Sequence, residues 1–108
     1  NNGKMKRDFT YIDDIVNGIV SSIQKNYDYE LFNLGNNSSE SIMDVVKILE
    51  SKIGKSAKIK FEPMQLGDVK KTYADIEKSK IKLDYLPKTN IKKGIIHFLD
   101  WYLEYAKR

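Results

Sequence analysis

Between Asp8 and Ile23 the apolar residues change period. Phe9 and Tyr11 alternate with Asp8 and Thr10, the two-residue repeat of a half-buried strand. Ile15, Val16, Ile19, Val20 and Ile23 then recur at the spacing of a single helix face. No glycine or proline separates the two patterns, so a short strand must run straight into a helix. That helix is expected from Asp13 or Asp14 to about Lys25. The two acids at its start are expected to cap free N–H groups and to suit the positive end of the helix dipole. Gly18 in its middle costs roughly 1 kcal/mol relative to alanine. Close packing against a neighbouring backbone would justify it.

Downstream the same reasoning yields an alternation of short strands and helices. Leu31–Leu34 reads as a short strand ending at Gly35. Ser41 followed by Asp44 resembles a capping box, with aspartate in place of glutamate, and opens a helix from Ile42 to Ile53. Gly54 suits the left-handed stop after it. Ala57, Ile59 and Phe61 alternate with Lys58, Lys60 and Glu62 as a one-sided strand ended by Pro63. An extended piece, Val69–Tyr73, leads to Asp75, which is expected to cap a short helix from Ile76 to about Leu83. Asp84 is then expected to take the left-handed conformation. Thr89 or Asn90 should cap a last helix reaching about Tyr105. The fold class expected is mixed α/β, with about four helices and three to four short strands. Asn2-Gly3 is a tight-turn signal with no strand before it.

The side chain carried on the first strand is unusual for this chain. Arg7 and Arg108 are the only arginines, and the rest of the nineteen basic residues are lysines. A guanidinium presents a planar fork that grips phosphate or carboxylate oxygens in pairs, which an ammonium cannot do. Arg7 is therefore the first candidate for holding an anion. The alternative is an ion pair with Asp8 or another nearby carboxylate.

Four segments, in order, carry a resemblance. Arg7-Asp8-Phe9-Thr10-Tyr11-Ile12-Asp13-Asp14-Ile15 resembles the R-D-[FY]-[TI]-[YH]-[VI]-x-D segment of nucleotide-sugar epimerases and dehydratases, the extended short-chain dehydrogenase family. Leu31-Phe32-Asn33-Leu34-Gly35, Met64-Gln65-Leu66-Gly67-Asp68-Val69 and Thr72-Tyr73-Ala74-Asp75-Ile76 match further along. Within that family the likeness is to UDP-glucuronate 4-epimerases, where a glutamine often stands at the Gln65 position. The resemblance implies a Rossmann-type epimerase of which residues 1–108 are the C-terminal substrate-binding part, the dinucleotide-binding domain lying upstream of it. It assigns Arg7 to the substrate's phosphates. It places Gln65 near the diphosphate, where relatives often have arginine, and Asp68 on the ribose hydroxyls, a carboxylate being a pure acceptor. Thr72 stands where some relatives have a tyrosine facing the sugar. NAD is implied for the intact enzyme and none for this part. A UDP-sugar is the implied partner, and polysaccharide precursor synthesis the implied pathway. The strand Leu31–Leu34 would lack its usual neighbours, so a homodimer or self-association is expected.

Other chemistry is thinly represented. There is no Gly-x-Gly-x-x-Gly or related phosphate-cradling turn, and no tyrosine is followed four residues later by lysine. No catalytic residue is therefore expected in this chain. The absence of cysteine excludes disulfides and thiolate metal sites, and no cluster has metal-ligand spacing. His97, between Ile96 and Phe98 on the last helix, reads as a surface or satisfied histidine. Phe9, Tyr11 and Tyr73 read as core aromatics rather than base-stacking ones. No apolar run reaches membrane-span length and no leader pattern is present, which suits a cytoplasmic protein. The net charge of +4 raises nucleic-acid binding, but the lysines are interleaved with acids. Two other functions stay open on the residues alone. One is the same part of a sugar-nucleotide 4,6-dehydratase or reductase. The other is a small basic module for RNA or protein.

Overall fold

The protein is described here by a computed structural model covering residues 1–107. Its elements are β1 (Lys6–Arg7), α1 (Ile12–Lys25), β2 (Glu40–Ser41), α2 (Ile42–Ile53), α3 (Glu77–Leu83) and α4 (Ile91–Ala106). The mixed α/β class expected from the sequence is what forms. β1 pairs antiparallel with β2, Lys6 opposite Ser41 and Arg7 opposite Glu40. On its other edge β1 bridges in parallel to Lys71. There the Lys6 amide donates to the Lys70 carbonyl at 3.0 Å, and the Thr72 amide to the Lys6 carbonyl at 3.1 Å. Arg7 thus sits on a strand held from both sides.

The helices pack in two pairs. α2 packs on α4, and α1 on α3. Val45 of α2 meets Ile95 and Leu99 of α4, with Phe9, Ile48, Leu49 and Ile91 around them. Ile76, Leu83 and Tyr85 form the buried apolar set near α3. The body measures 48 × 37 × 21 Å, thin in one direction, so much apolar surface stays at the outside.

Several helix ends match the sequence pattern. α2 runs Ile42–Ile53, and Gly54 stops it at φ +75°. Asp84 closes α3 at φ +53°, the left-handed conformation expected of it. Asn90 caps α4, its side chain accepting from the Lys93 amide. Asn2 and Gly3 both have positive φ, and the Lys4 amide donates to the Asn1 carbonyl, so the tight turn is present.

Other expectations are corrected. Tyr11 is the N-cap of α1 and no side chain caps it. Asp14 is buried and turns away from its own helix. Its carboxylate accepts the amides of Lys88 at 3.0 Å and Thr89 at 3.1 Å, fixing the approach to α4. Ser41 stands at the N-cap of α2 but makes no side-chain bond there, so the capping box does not close. The expected apolar stripe of α1 faces outward: Val16, Ile19, Val20 and Ile23 are exposed. The buried positions are Asp14 and Gly18. Gly18 admits Leu34, whose Cδ2 would lie 2.7 Å from an added Cβ. Leu31–Leu34 and Ala57–Phe61 form no strand and belong to no ladder among the described residues. Alternation marks which face a strand would bury, but a strand needs a partner to bond, and these segments have none alongside.

Candidate functional site

β1 delivers Arg7 to the edge of the molecule. Its Nη2 donates to Asp68 Oδ1 at 2.8 Å, and its Nη1 to the Lys6 carbonyl at 2.8 Å. Asp68 closes a β-turn, its amide donating to the Gln65 carbonyl at 3.2 Å. Gly67, third in that turn, has φ +82°, the conformation a type II turn demands at this place. Asp68 Oδ1 also accepts the Val69 amide at 2.9 Å, which aims the carboxylate back at β1. The structure therefore brings together Arg7 and the Gln65–Asp68 turn, which lie far apart in sequence. Gln65 occupies the first corner of that turn and its side chain is exposed.

The pair is only part-buried, with Arg7 27% and Asp68 42% exposed. Of the two readings open for Arg7, an ion pair with a nearby carboxylate is present, and its partner is Asp68. Asp8 does not take part in it. A guanidinium offers five N–H donors, so two bonds leave others free on the open side. Such a ledge can receive a phosphate group while the carboxylate accepts from hydroxyls. Two clefts lie elsewhere. One of about 440 Å³ runs between Asp8, Gly35 and Thr72–Ala74. The other, about 790 Å³ and mostly apolar, lies between Phe9, Tyr11, Leu49, Phe98 and Trp101. Neither includes Arg7, Gln65 or Asp68, so the candidate grip is a surface ledge rather than an enclosed pocket.

Thr72 turns inward. Its Oγ1 accepts the Asp8 amide at 3.0 Å, and it lines the smaller cleft. Phe9 packs against the core, as read from its spacing. Tyr11 lies against His97, ring centroids 5.5 Å apart. Tyr73 is exposed, with the Lys71 ammonium 5.9 Å from its ring centre.

Sequence reasoning missed the support beneath the ledge. The Asp8 carboxylate accepts three backbone amides, those of Asn36 at 2.9 Å, Asn37 at 3.1 Å and Ala74 at 3.0 Å. Next to it the Tyr85 hydroxyl donates to the Gly35 carbonyl at 2.7 Å, and Ser79 Oγ to the Asn33 carbonyl at 2.6 Å. Burial pushes the Tyr85 hydroxyl up to about 12, and the negative charges of Asp14 and Asp8 add to it. The available signal was an acid directly before a core aromatic, in a chain that also offers a run of Gly, Asn and Ser amides at residues 35–39. Such a carboxylate must be met by donors.

Comparison with known proteins adds to this geometry. The family model described as GDP-mannose 4,6 dehydratase matches residues 1–98. The chain is 50% identical over 104 residues to an uncharacterized protein of Methanocaldococcus jannaschii, covering 96% of this chain and 32% of that one. It is 42% identical over 103 residues to the UDP-glucuronate 4-epimerase of Thermodesulfobacterium geofontis, covering 94% and 32%. Among solved structures, it resembles a UDP-glucuronic acid 4-epimerase from Bacillus cereus in complex with UDP-glucuronic acid and NAD. That match has a TM-score of 0.81 and 36% identity, covering 88% of this chain and 31% of that one. The chain spans about a third of the length of these relatives.

Proposed function

Because the chain belongs to the nucleotide-sugar epimerase and dehydratase family, we propose that it holds the diphosphate and ribose of a UDP-sugar for a 4-epimerase. Arg7 meets the diphosphate, Asp68 accepts from the ribose hydroxyls, and Gln65 supplies a neutral amide at the same turn. One observation carries this reading, the 2.8 Å contact that joins Arg7 to the Gln65–Asp68 turn. A diphosphate concentrates negative charge and needs matched donors, and the fork of Arg7 supplies them at an open edge.

The chain's own residues do not fit NAD. β1 passes into α1, and β2 into α2, with no glycine at either junction to bring backbone amides against a pyrophosphate. No oxidation or reduction step is therefore placed on these residues. Their task in an epimerase is to hold the nucleotide while the sugar turns. UDP-glucuronate is the favoured sugar nucleotide, since two of the relatives named above are UDP-glucuronate 4-epimerases, and this favours epimerase over dehydratase. Self-association belongs to the same proposal. The outward face of α1, with Ile12, Val16, Ile19, Val20 and Ile23 exposed, supports it.

Calorimetric titration with UDP, uridine and single-stranded RNA at two salt concentrations tests this function. UDP binding that exceeds uridine binding and weakens with salt is expected. RNA binding with a steep salt dependence and no response to UDP would instead identify a basic RNA module.

A further inference from the structure

We infer that Asp8 is the positioning residue of the anion grip, acting on substrate only through Arg7 and Asp68. The inference rests on the proposed role of those two residues. Asp8 follows directly on β1, and its carboxylate is met by backbone amides of residues 36, 37 and 74 while the Arg7 guanidinium turns to Asp68. Asp8 Oδ1 accepts the Asn36 amide, and its Oδ2 accepts those of Asn37 and Ala74. Its own amide donates to Thr72 Oγ1. With the two Lys6 bonds to Lys70 and Thr72, these contacts stitch β1 to residues 70–74 on both sides of Arg7. Asp68 lies just ahead of that stitched segment. The register that lets its carboxylate meet the guanidinium is thus set beneath the ledge.

The arrangement needs a carboxylate in particular. Three amide donors converge on it, and only a group with acceptors on both oxygens satisfies them all. It also needs the glycine beside it. A Cβ on Gly35 would collide with the Ala74 Cβ and lie 3.1 Å from Asp8 Oδ2. Asp8→Asn keeps the shape but turns an N–H₂ toward one set of donors. The two loops then separate from β1, and Arg7 and Asp68 lose their common frame.

A double-mutant cycle with a ligand-free readout tests this. In the unliganded wild type, NMR of the Arg7 guanidinium should show Nη–H signals resolved by hindered rotation. In Asp8→Asn these should collapse while the protein still melts cooperatively. UDP affinity should fall about tenfold in Asp8→Asn, with a clearly smaller fall, through Asp68 alone, when Asp8→Asn is added to Arg7→Ala. If Asp8→Asn does not fold, Thr72→Val, which removes one stitch and spares the carboxylate, should show the same change to a smaller degree. Unchanged guanidinium signals in the folded variant, or equal losses in both backgrounds, would overturn the inference. Failure of the wild type to bind UDP would overturn the proposed function, and the guanidinium signals would still decide the role of Asp8.

Discussion

Arg7 and Asp68, 61 positions apart in the chain, meet at 2.8 Å on the rim of the molecule. A strand held on both edges presents one, and a glycine turn presents the other. Both remain partly open to water, and ion pairs in such places add little to stability, about 0–1 kcal/mol. The contact therefore matters for where it puts two opposite charges: a donor fork and a pure acceptor side by side, the pairing on which the proposed UDP site rests.

Asp68→Asn separates the two roles. Its urea unfolding midpoint should move by less than about 1 kcal/mol in stability. UDP affinity should fall, because in the proposed site the amide replaces an acceptor for the ribose hydroxyls. Inorganic pyrophosphate binding should be kept or improved, because Arg7 is released from its partner. Titration of the variant with both ligands checks this. Equal losses for both would show that Asp68 serves only to orient Arg7.

Gly18→Ala should destabilise the fold, although it improves helix propensity by about 1 kcal/mol. The added methyl would stand 2.7 Å from Leu34 Cδ2, in a buried contact. Overpacking of this kind costs about 1–3 kcal/mol, so the net change should be unfavourable. Urea denaturation measures it. A stabilised variant would mean that Leu34 moves aside freely.

Asp14→Ala should loosen the entry to α4. The Lys88 and Thr89 amides would lose their acceptor, at a cost of about 1–3 kcal/mol. Amide hydrogen exchange at those two residues should accelerate more than exchange within α2. No change at Lys88 and Thr89 would show that the loop is held by other means.

Glu30 sets an acid limit. Hydrogen bonds from the Lys78 and then the Lys82 ammonium hold its carboxyl down, from the ordinary 4.5 to about 2. A folded-state value below the unfolded one favours the fold while the group is charged. The contribution is complete above about pH 4.5 and is lost as pH falls toward 2. Comparing wild type with Glu30→Gln, the stability gap should be constant above pH 5 and shrink through that window. Added salt should narrow it, since the lysines are partly exposed. A gap independent of pH would contradict the assignment.

Local chemistry was the legible part of this chain. α2 ends where Gly54 allows, Asp84 takes the left-handed turn, and Asn90 caps α4, because each depends on residues a few positions away. The face of α1 was not legible. Its apolar stripe fixes a periodicity but not which side is covered, and the side that packs carries Asp14 and Gly18. Asp14 illustrates the limit: its partners lie 74 and 75 residues on, beyond any local capping rule. Likewise the alternation at Ala57–Phe61 identifies a strand-forming segment without saying whether a neighbour exists. At the candidate site, Arg7 stood out because arginine is scarce here, and the resemblance paired it with the Gln65–Asp68 turn. Asp8 did not stand out, since its three donors are backbone amides that any residue can supply.

The central claim is that Arg7 is there to grip a diphosphate, and titration of wild type and Arg7→Ala with UDP tests it most directly. The folded Arg7→Ala protein should lose at least about tenfold in affinity, as expected for a charge-assisted hydrogen bond of roughly 1.5–3 kcal/mol. Its melting should stay close to that of the wild type. Equal UDP affinity in the two proteins, with the Arg7–Asp68 contact present in the wild type, would contradict the account.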